Sequence, residues 1–159
     1  MRAYKSLEVT PTINTVEYDI GDCIFVSTEI PNFLRGANDY AEIKSVTIID
    51  RSSDEPDMAI YLTTNSTTLG AINATADGAD AVVDDIQCII PIVTADYFGG
   101  ANYTDTASVA CITDPSNGGI GCIVSSNGSS SIYICAILQQ AAETFAVGDL
   151  TFKIGVKYL

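Results

Sequence analysis

The chain has 159 residues, of which 47% are hydrophobic and 17% charged, a globular composition long enough for one domain with its own core. A net charge of −13 at pH 7 argues against nucleic acid and anionic lipid as partners, because like charges repel. The five cysteines are an odd number without short spacing, which argues against a disulfide framework and against a zinc site.

The N-terminal third predicts an extended start followed by three strands. Residues 1–15 are interpreted as an extended N-terminal arm that lacks the apolar core of a signal peptide. Apolar runs rich in β-branched side chains predict strands at residues 23–30, 42–50 and 57–63. Residues 51–56 between the last two contain Ser, Asp and Pro, which are typical of a turn.

The middle of the chain holds the only helical candidates. Residues 71–85 are rich in Ala and Asp and predict one short helix, and residues 138–144 predict a further helical turn. Residues 86–93 predict a buried strand, and Pro91 within it predicts an edge position or a bulge because proline lacks a backbone donor. Residues 108–113 predict a shorter strand.

The last forty residues carry the clearest patterns. Residues 120–138 predict a hairpin around Asn127–Gly128, a pair that suits a type I′ turn and would set Cys122 opposite Tyr133. Both faces of this hairpin are apolar, which indicates a central strand pair or one covered by a neighbouring subunit. Residues 150–158 alternate between apolar and polar with period two, as expected of a half-buried strand.

Seven or eight short strands separated by turn signals indicate an all-β protein. We therefore predict one domain over residues 1–159, a β-sandwich of jelly-roll type with at most one or two short helices. No apolar run approaches the roughly 18 residues that span a membrane, so we expect no membrane segment.

Few residues suggest catalysis. The chain has no histidine, which removes the commonest general base and metal ligand. No nucleophile-elbow, P-loop or dinucleotide-binding motif is present. The cysteines lie beside Ile, Val or Ala and are interpreted as small hydrophobic residues. We therefore predict a protein that is not an enzyme and that has no cofactor and no metal site.

Two acidic segments were candidates for cation binding. Asp50, Ser52 and Asp54 match the first ligand positions of an EF-hand loop, but Glu55 replaces its glycine and Tyr61 its final glutamate, so the match fails. A second group of carboxylates is interpreted as a solvated face: Asp77, Asp80, Asp84 and Asp85.

The order of several segments resembles small phage virion proteins of the capsid decoration, or cement, type. The resemblance covers roughly residues 43–158. It is carried by residues 44–50, 59–62, 69–74, 79–81, 96–97, 131–134 and 144–150. It implies a β-sandwich that binds the major capsid protein on the outside of the phage head, often as a homotrimer. Such a protein would be made in the host cytoplasm and located on the virion.

Candidate contacts follow from this resemblance. Arg2 and Tyr4 of the N-terminal arm, and Lys153 and Lys157 of the last strand, are candidate contacts with capsid or neighbouring copies. The alternative for both lysines is protection of a sheet edge against aggregation. Two other functions stay open: a tail, neck or fibre-associated virion component, and a small carbohydrate-binding or hydrolytic β-sandwich.

Overall fold

A computed structural model describes residues 3–66, 68–77, 83–98, 107–113, 120–140 and 142–159. In these ranges the chain forms two antiparallel sheets and one short 3₁₀ helix at Thr94–Asp96, which confirms the all-β prediction. The strands are β1 Tyr4–Val9, β2 Cys23–Ile30, β3 Tyr40–Asp50, β4 Met58–Thr63, β5 Ile86–Ile92, β6 Tyr97–Phe98, β7 Ser108–Thr113, β8 Ile123–Ser125, β9 Ile132–Leu138 and β10 Leu150–Tyr158.

The strand order is that of a jelly roll. The first sheet has the order β1-β10-β3-β7-β6, with β8 also paired to β3, and the second has the order β2-β9-β4-β5. The pairings are nested: β1 with β10, β2 with β9, β3 with β7, and β4 with β5. Such nesting is what results when one long antiparallel ribbon is wound into two facing sheets, so the predicted jelly-roll sandwich is confirmed.

Aromatic side chains join the two sheets across the core. The rings of Phe25 on β2 and Phe152 on β10 lie 5.3 Å apart between their centroids. Tyr18 is buried edge-on against Phe145 at 5.5 Å, and its hydroxyl donates a hydrogen bond to the carbonyl oxygen of Ile24 at 3.0 Å. A buried tyrosine with its hydroxyl satisfied contributes apolar contact area without an unpaired polar group.

A segment of the chain itself covers part of the outside of the second sheet. Every residue of β9 except Tyr133 is buried, so this strand is central and covered on both faces. Leu69 is buried there, and Ile72 and Ala76 pack against the core. Isolated bridges join Cys23 to Ile72 and Asp22 to Thr75. The apolar outer face predicted for this strand is therefore covered by the same chain.

The predicted hairpin over residues 120–138 is wrong. β8 pairs with β3 in the first sheet, whereas β9 pairs with β2 and β4 in the second. Asn127–Gly128 therefore lies in a connection between sheets, where Gly128 still takes a positive φ of 79°. Asn127 does not have the positive φ that a type I′ turn needs, so the predicted turn type is wrong as well, and the partner of each strand comes from distant parts of the chain.

Two further predictions differ from the structure. Residues 4–9 are not a free arm, because β1 forms a six-residue ladder with β10. The described parts of 138–144 are non-helical, since Glu143 bridges to Tyr18. In both cases pairing with a distant strand replaces the local conformation. Of the short helix predicted within residues 71–85, residues 71–77 contain isolated bridges, Val83 has a helical backbone, and residues 78–82 lie outside the described residues.

Other boundaries match closely. β2 and β7 have the predicted limits, and β5, which contains Pro91, is an edge strand as proline requires. Within the described ranges no helix is both long and apolar enough to cross a membrane.

Candidate interaction face

The outer face of the first sheet presents side chains in rows that run across its strands. One row is Tyr4, Lys157, Glu42 and Ile123, taken in order from β1 to β8. A second is Glu8, Lys153, Thr47 and Cys111, and a third is Thr151, Ile49, Val109 and Phe98. The alternate residues of these strands, such as Leu7, Ile154 and Ile48, are buried in the core. The rows form a broad surface facing away from the core, which we call the outer face.

Basic residues are concentrated at this sheet. All four lysines lie on β1, β3 and β10, which are neighbouring strands: Lys5, Lys44, Lys153 and Lys157. The Arg35 guanidinium lies 4.5 Å from the centroid of the Tyr158 ring on β10. Arg51 donates to the hydroxyl of Thr151 on β10 at 2.8 Å. The positive charge of an acidic protein is thus gathered around one strand.

Ion pairs on the outer face are local. Lys44 Nζ lies 2.6 Å from the carboxylate of Glu42 on the same strand, and Lys153 Nζ lies 3.3 Å from Glu8 on β1. Exposed pairs of this kind contribute at most about 1 kcal/mol each. These three strands carry four lysines and three acids, Glu8, Glu42 and Asp50, so they are much less negative than the chain as a whole, which has 20 acids.

An apolar strip lies at the far side of the outer face. The side chain of Phe98 on β6 is 76% exposed, and Val109 and Cys111 on the neighbouring β7 are exposed as well. These three residues and Ala107 line a concavity of about 390 Å³. Contiguous exposed apolar side chains beside polar ones are typical of a protein–protein contact surface.

A shallow depression interrupts the charged part of the outer face. The register between β10 and β3 shifts at Gly155/Val156, so Lys44 and Ser45 both face outward opposite Gly155. A Cβ atom on Gly155 would meet the Ser45 hydroxyl. The missing side chain leaves a concavity of about 350 Å³ between Lys5 and Lys44.

The predicted contact residues fall into three groups. Tyr4 and Lys157 are cross-strand neighbours on the outer face, and Lys153 lies four residues from Lys157 along β10 on the same face. Arg2 lies outside the described residues. The edge-protection alternative for the two lysines is wrong, because β10 is paired on one side with β1 and on the other with β3. β1 is the edge strand of the first sheet, whereas the edge-protection alternative had placed the C-terminal strand at the edge.

The cysteines are less uniform than the sequence predicted. Cys23, Cys88 and Cys135 are buried, Cys122 is half-buried and Cys111 is exposed. Burial raises the pKa of the Cys135 thiol to about 12, and the neighbouring Cys23 adds to this shift. The interpretation as small hydrophobic residues therefore holds for the three buried cysteines and is wrong for Cys111.

The carboxylates of the two acidic segments accept hydrogen bonds from neighbouring loop residues. The buried Asp50 carboxylate accepts hydrogen bonds from the backbone N–H of Ser52 at 3.0 Å and of Glu55 at 2.8 Å. The Asp85 carboxylate accepts from Thr64 and Asn65. Asp80 lies outside the described residues. Among the residues that the structure describes, no three metal-ligating side chains converge.

Sequence patterns missed the apolar strip. β6 has two residues, too few for any period, and its partner β7 lies ten residues further along the chain. The alternation of β7 was a usable signal, because its outward positions Val109 and Cys111 are apolar. Two apolar faces on one strand indicate a covered surface, as they did for β9.

Comparisons with known proteins add little. No family model matches the chain, and no curated protein matches it. A solved structure that aligns with it, from the infectious bursal disease virus Gt strain, is 10% identical over 98% of this chain, with a TM-score of 0.22. The alignment covers 42% of that viral protein, so the chain spans less than half its length. A score this low does not establish a shared fold, and the fold assignment rests on the strand order above.

Proposed function

We propose that the chain is a non-enzymatic virion structural protein that decorates the outside of a phage head by binding the major capsid protein. The observation that carries this proposal is the outer face of the first sheet. It combines three of the four lysines, Lys44, Lys153 and Lys157, with the exposed apolar side chains of Phe98 and Val109, on a protein whose net charge is −13.

The charge distribution gives this face a role in docking. The excess of acids elsewhere keeps many copies apart in solution, while the outer face, which carries few acids, meets little repulsion when it approaches a partner. Apolar side chains then contribute affinity through their burial, and lysines at their border contribute orientation. A protein that binds assembled subunits more tightly than free ones stabilises the shell by mass action. The resemblance to decoration proteins extends the proposal to a homotrimer on the capsid surface.

The test is co-sedimentation with bare heads assembled from the genome that encodes the chain. Phe98→Asp places a charge in the apolar strip, and we expect it to weaken binding at least tenfold. Ile20→Asp is the matched control, because Ile20 is 63% exposed and precedes Gly21, which bonds to Leu138 of the second sheet. We expect Ile20→Asp to bind like the parent protein.

Each outcome separates the alternatives. Failure of the parent protein to sediment with heads at any ratio rejects the decoration proposal. Equal loss in both variants rejects the assignment of the outer face. Immunogold labelling of complete particles distinguishes a decoration protein, which labels the whole shell, from a tail, neck or fibre component, which labels one vertex.

A further inference from the structure

Two cysteines from different sheets meet at one side of the sandwich. Cys88 lies on β5, the edge strand of the second sheet, and its side chain is buried. Cys122 lies just before β8 of the first sheet and is half-buried. The Cys122 thiol donates a hydrogen bond to the carbonyl oxygen of Gln87 at 3.3 Å, which places it beside Cys88, the next residue of β5.

The backbone on both sides of this pair is held in place. Ile43 on β3 donates to the carbonyl oxygen of Cys122 at 2.8 Å, and Gly121 donates to that of Ile43 at 3.2 Å. Cys88 is fixed by its ladder position opposite Leu62 on β4. Both cysteines are therefore carried by ordered segments that lie side by side, and a disulfide that forms without backbone movement requires such ordered neighbours.

We propose that Cys88 and Cys122 are an oxidation site, and that their disulfide joins the two sheets at this side of the sandwich when the protein meets a low-molecular-weight disulfide such as glutathione disulfide. The inference goes beyond the proposed function and does not depend on it, because every measurement below is made on the purified protein.

The reaction is a pair of thiol–disulfide exchanges. The more accessible Cys122 attacks glutathione disulfide as a thiolate, forms a mixed disulfide and releases one glutathione. Cys88 then attacks the Cys122 sulfur and releases the second glutathione. Two protein S–H bonds and one glutathione S–S bond are lost, one protein S–S bond forms, and both protons end on glutathione.

The pH dependence of the second exchange follows from burial. Burial raises the pKa of the Cys88 thiol, and the neighbouring Cys122 raises it further. The thiolate is the attacking form, so formation of the disulfide is expected to accelerate as the pH rises above neutrality.

The other cysteines provide internal comparisons. Cys23 and Cys135 influence each other electrostatically, but they are only 1% and 2% exposed, so a dissolved oxidant cannot reach them in the folded protein. Cys111 is exposed on the outer face and contacts the Thr47 hydroxyl at 3.5 Å. It would give disulfides between molecules, so the test uses Cys111→Ser as the parent.

The experiment treats the Cys111→Ser protein with glutathione disulfide at pH 8, blocks the remaining thiols, and maps peptides without reduction. We expect a peptide pair joined through Cys88 and Cys122 and a Tm raised by roughly 5–10 °C, because the bond closes a loop of about 35 residues in the unfolded chain. Dithiothreitol should reverse the shift. Adding Cys122→Ser should abolish both results, whereas adding Cys23→Ala should leave both intact.

Absence of the joined peptide, with both thiols open to blocking after unfolding, overturns the proposal. A Tm shift that survives Cys122→Ser overturns it as well, since the shift would then come from another site. If Cys122→Ser fails to fold, Cys88→Ala replaces it as the variant that lacks one thiol of the pair, and it should also abolish the joined peptide and the Tm shift.

Discussion

Asp50 is a single buried carboxylate that organises the crossing between the sheets. It ends β3, is fully buried, and accepts hydrogen bonds from the backbone of Ser52 and Glu55. The hydroxyls of Ser52, at 2.6 Å, and of Ser108 on β7, at 3.3 Å, add two further donors. Ser53 and Glu55 have φ angles of 62° and 54°, so the turn also holds two residues in the left-handed region. The carboxylate compensates by satisfying the donors that this turn leaves without backbone partners.

Asp50→Ala is expected to lower the free energy of unfolding by about 2–4 kcal/mol, because several buried donors lose their acceptor at once. Urea denaturation at constant slope measures this loss. Asp54→Ala is the control in the same turn. Asp54 is exposed, so we expect a change within about 0.5 kcal/mol. Equal effects of the two variants would mean that backbone conformation, and not the Asp50 carboxylate, holds the turn.

At the scale of elements, the contact between β10 and β3 explains the shape of the outer face. The two strands are paired from Leu150 to Tyr158, with one bulge that places Ser45 opposite Gly155. A Cβ atom on Gly155 would clash with the Ser45 hydroxyl oxygen, while it would lie 3.6 Å from the Ser45 Cβ. The hydroxyl is therefore the group that requires glycine at this position.

Gly155→Ala is expected to cost about 1–2 kcal/mol, because the new methyl group meets the Ser45 hydroxyl in a paired strand. Adding Ser45→Ala removes that hydroxyl while keeping a methyl group at an ordinary contact distance. The double variant should then recover most of the lost stability relative to Ser45→Ala alone. A double-mutant cycle by thermal or urea denaturation measures the coupling. Additive effects would show that the bulge itself, and not the hydroxyl, excludes a side chain.

At the scale of the whole molecule, charge is unevenly distributed. Lysines occupy three neighbouring strands of the first sheet, while no basic residue occurs between Arg51 and Lys153 in the sequence. That interval holds twelve acids, and because a folded chain is more compact than an unfolded one, folding increases the repulsion among like charges. Mobile ions weaken such repulsion by shortening its range from about 30 Å at 0.01 M salt to about 8 Å at 0.15 M.

Raising NaCl from about 10 mM to about 150 mM at pH 7 should therefore increase the free energy of unfolding by an amount on the order of 1 kcal/mol. Lys157→Glu should steepen this dependence, because it adds negative charge to the outer face. Urea denaturation at the two salt concentrations checks both expectations. A decrease in stability with salt would instead mean that ion pairs such as Lys153–Glu8 outweigh the net repulsion.

Some features of the molecule followed from local sequence patterns. The period-two alternation of residues 150–158 predicted a half-buried strand, and β10 buries that apolar series while Lys153 and Lys157 face outward. Pro91 predicted an edge strand, and β5 is one. These predictions succeeded because the alternation of side chains and the missing proline donor act within a few residues. The expectations of no enzymatic activity, no cofactor and a capsid location stay predictions.

Pairing partners were decided by tertiary structure alone. The sequence at Asn127–Gly128 predicted a hairpin, but only Gly128 takes a positive φ, and β8 and β9 pair with longer strands in different sheets. Pairing between distant segments also places β1 beside β10, so that β1 is an edge strand. It likewise brings together β6 and β7, which form the apolar strip. Hydrophobic alternation along one segment determines that a strand forms and which face it buries. Its neighbour depends on contacts between residues far apart in the chain, which no local pattern records.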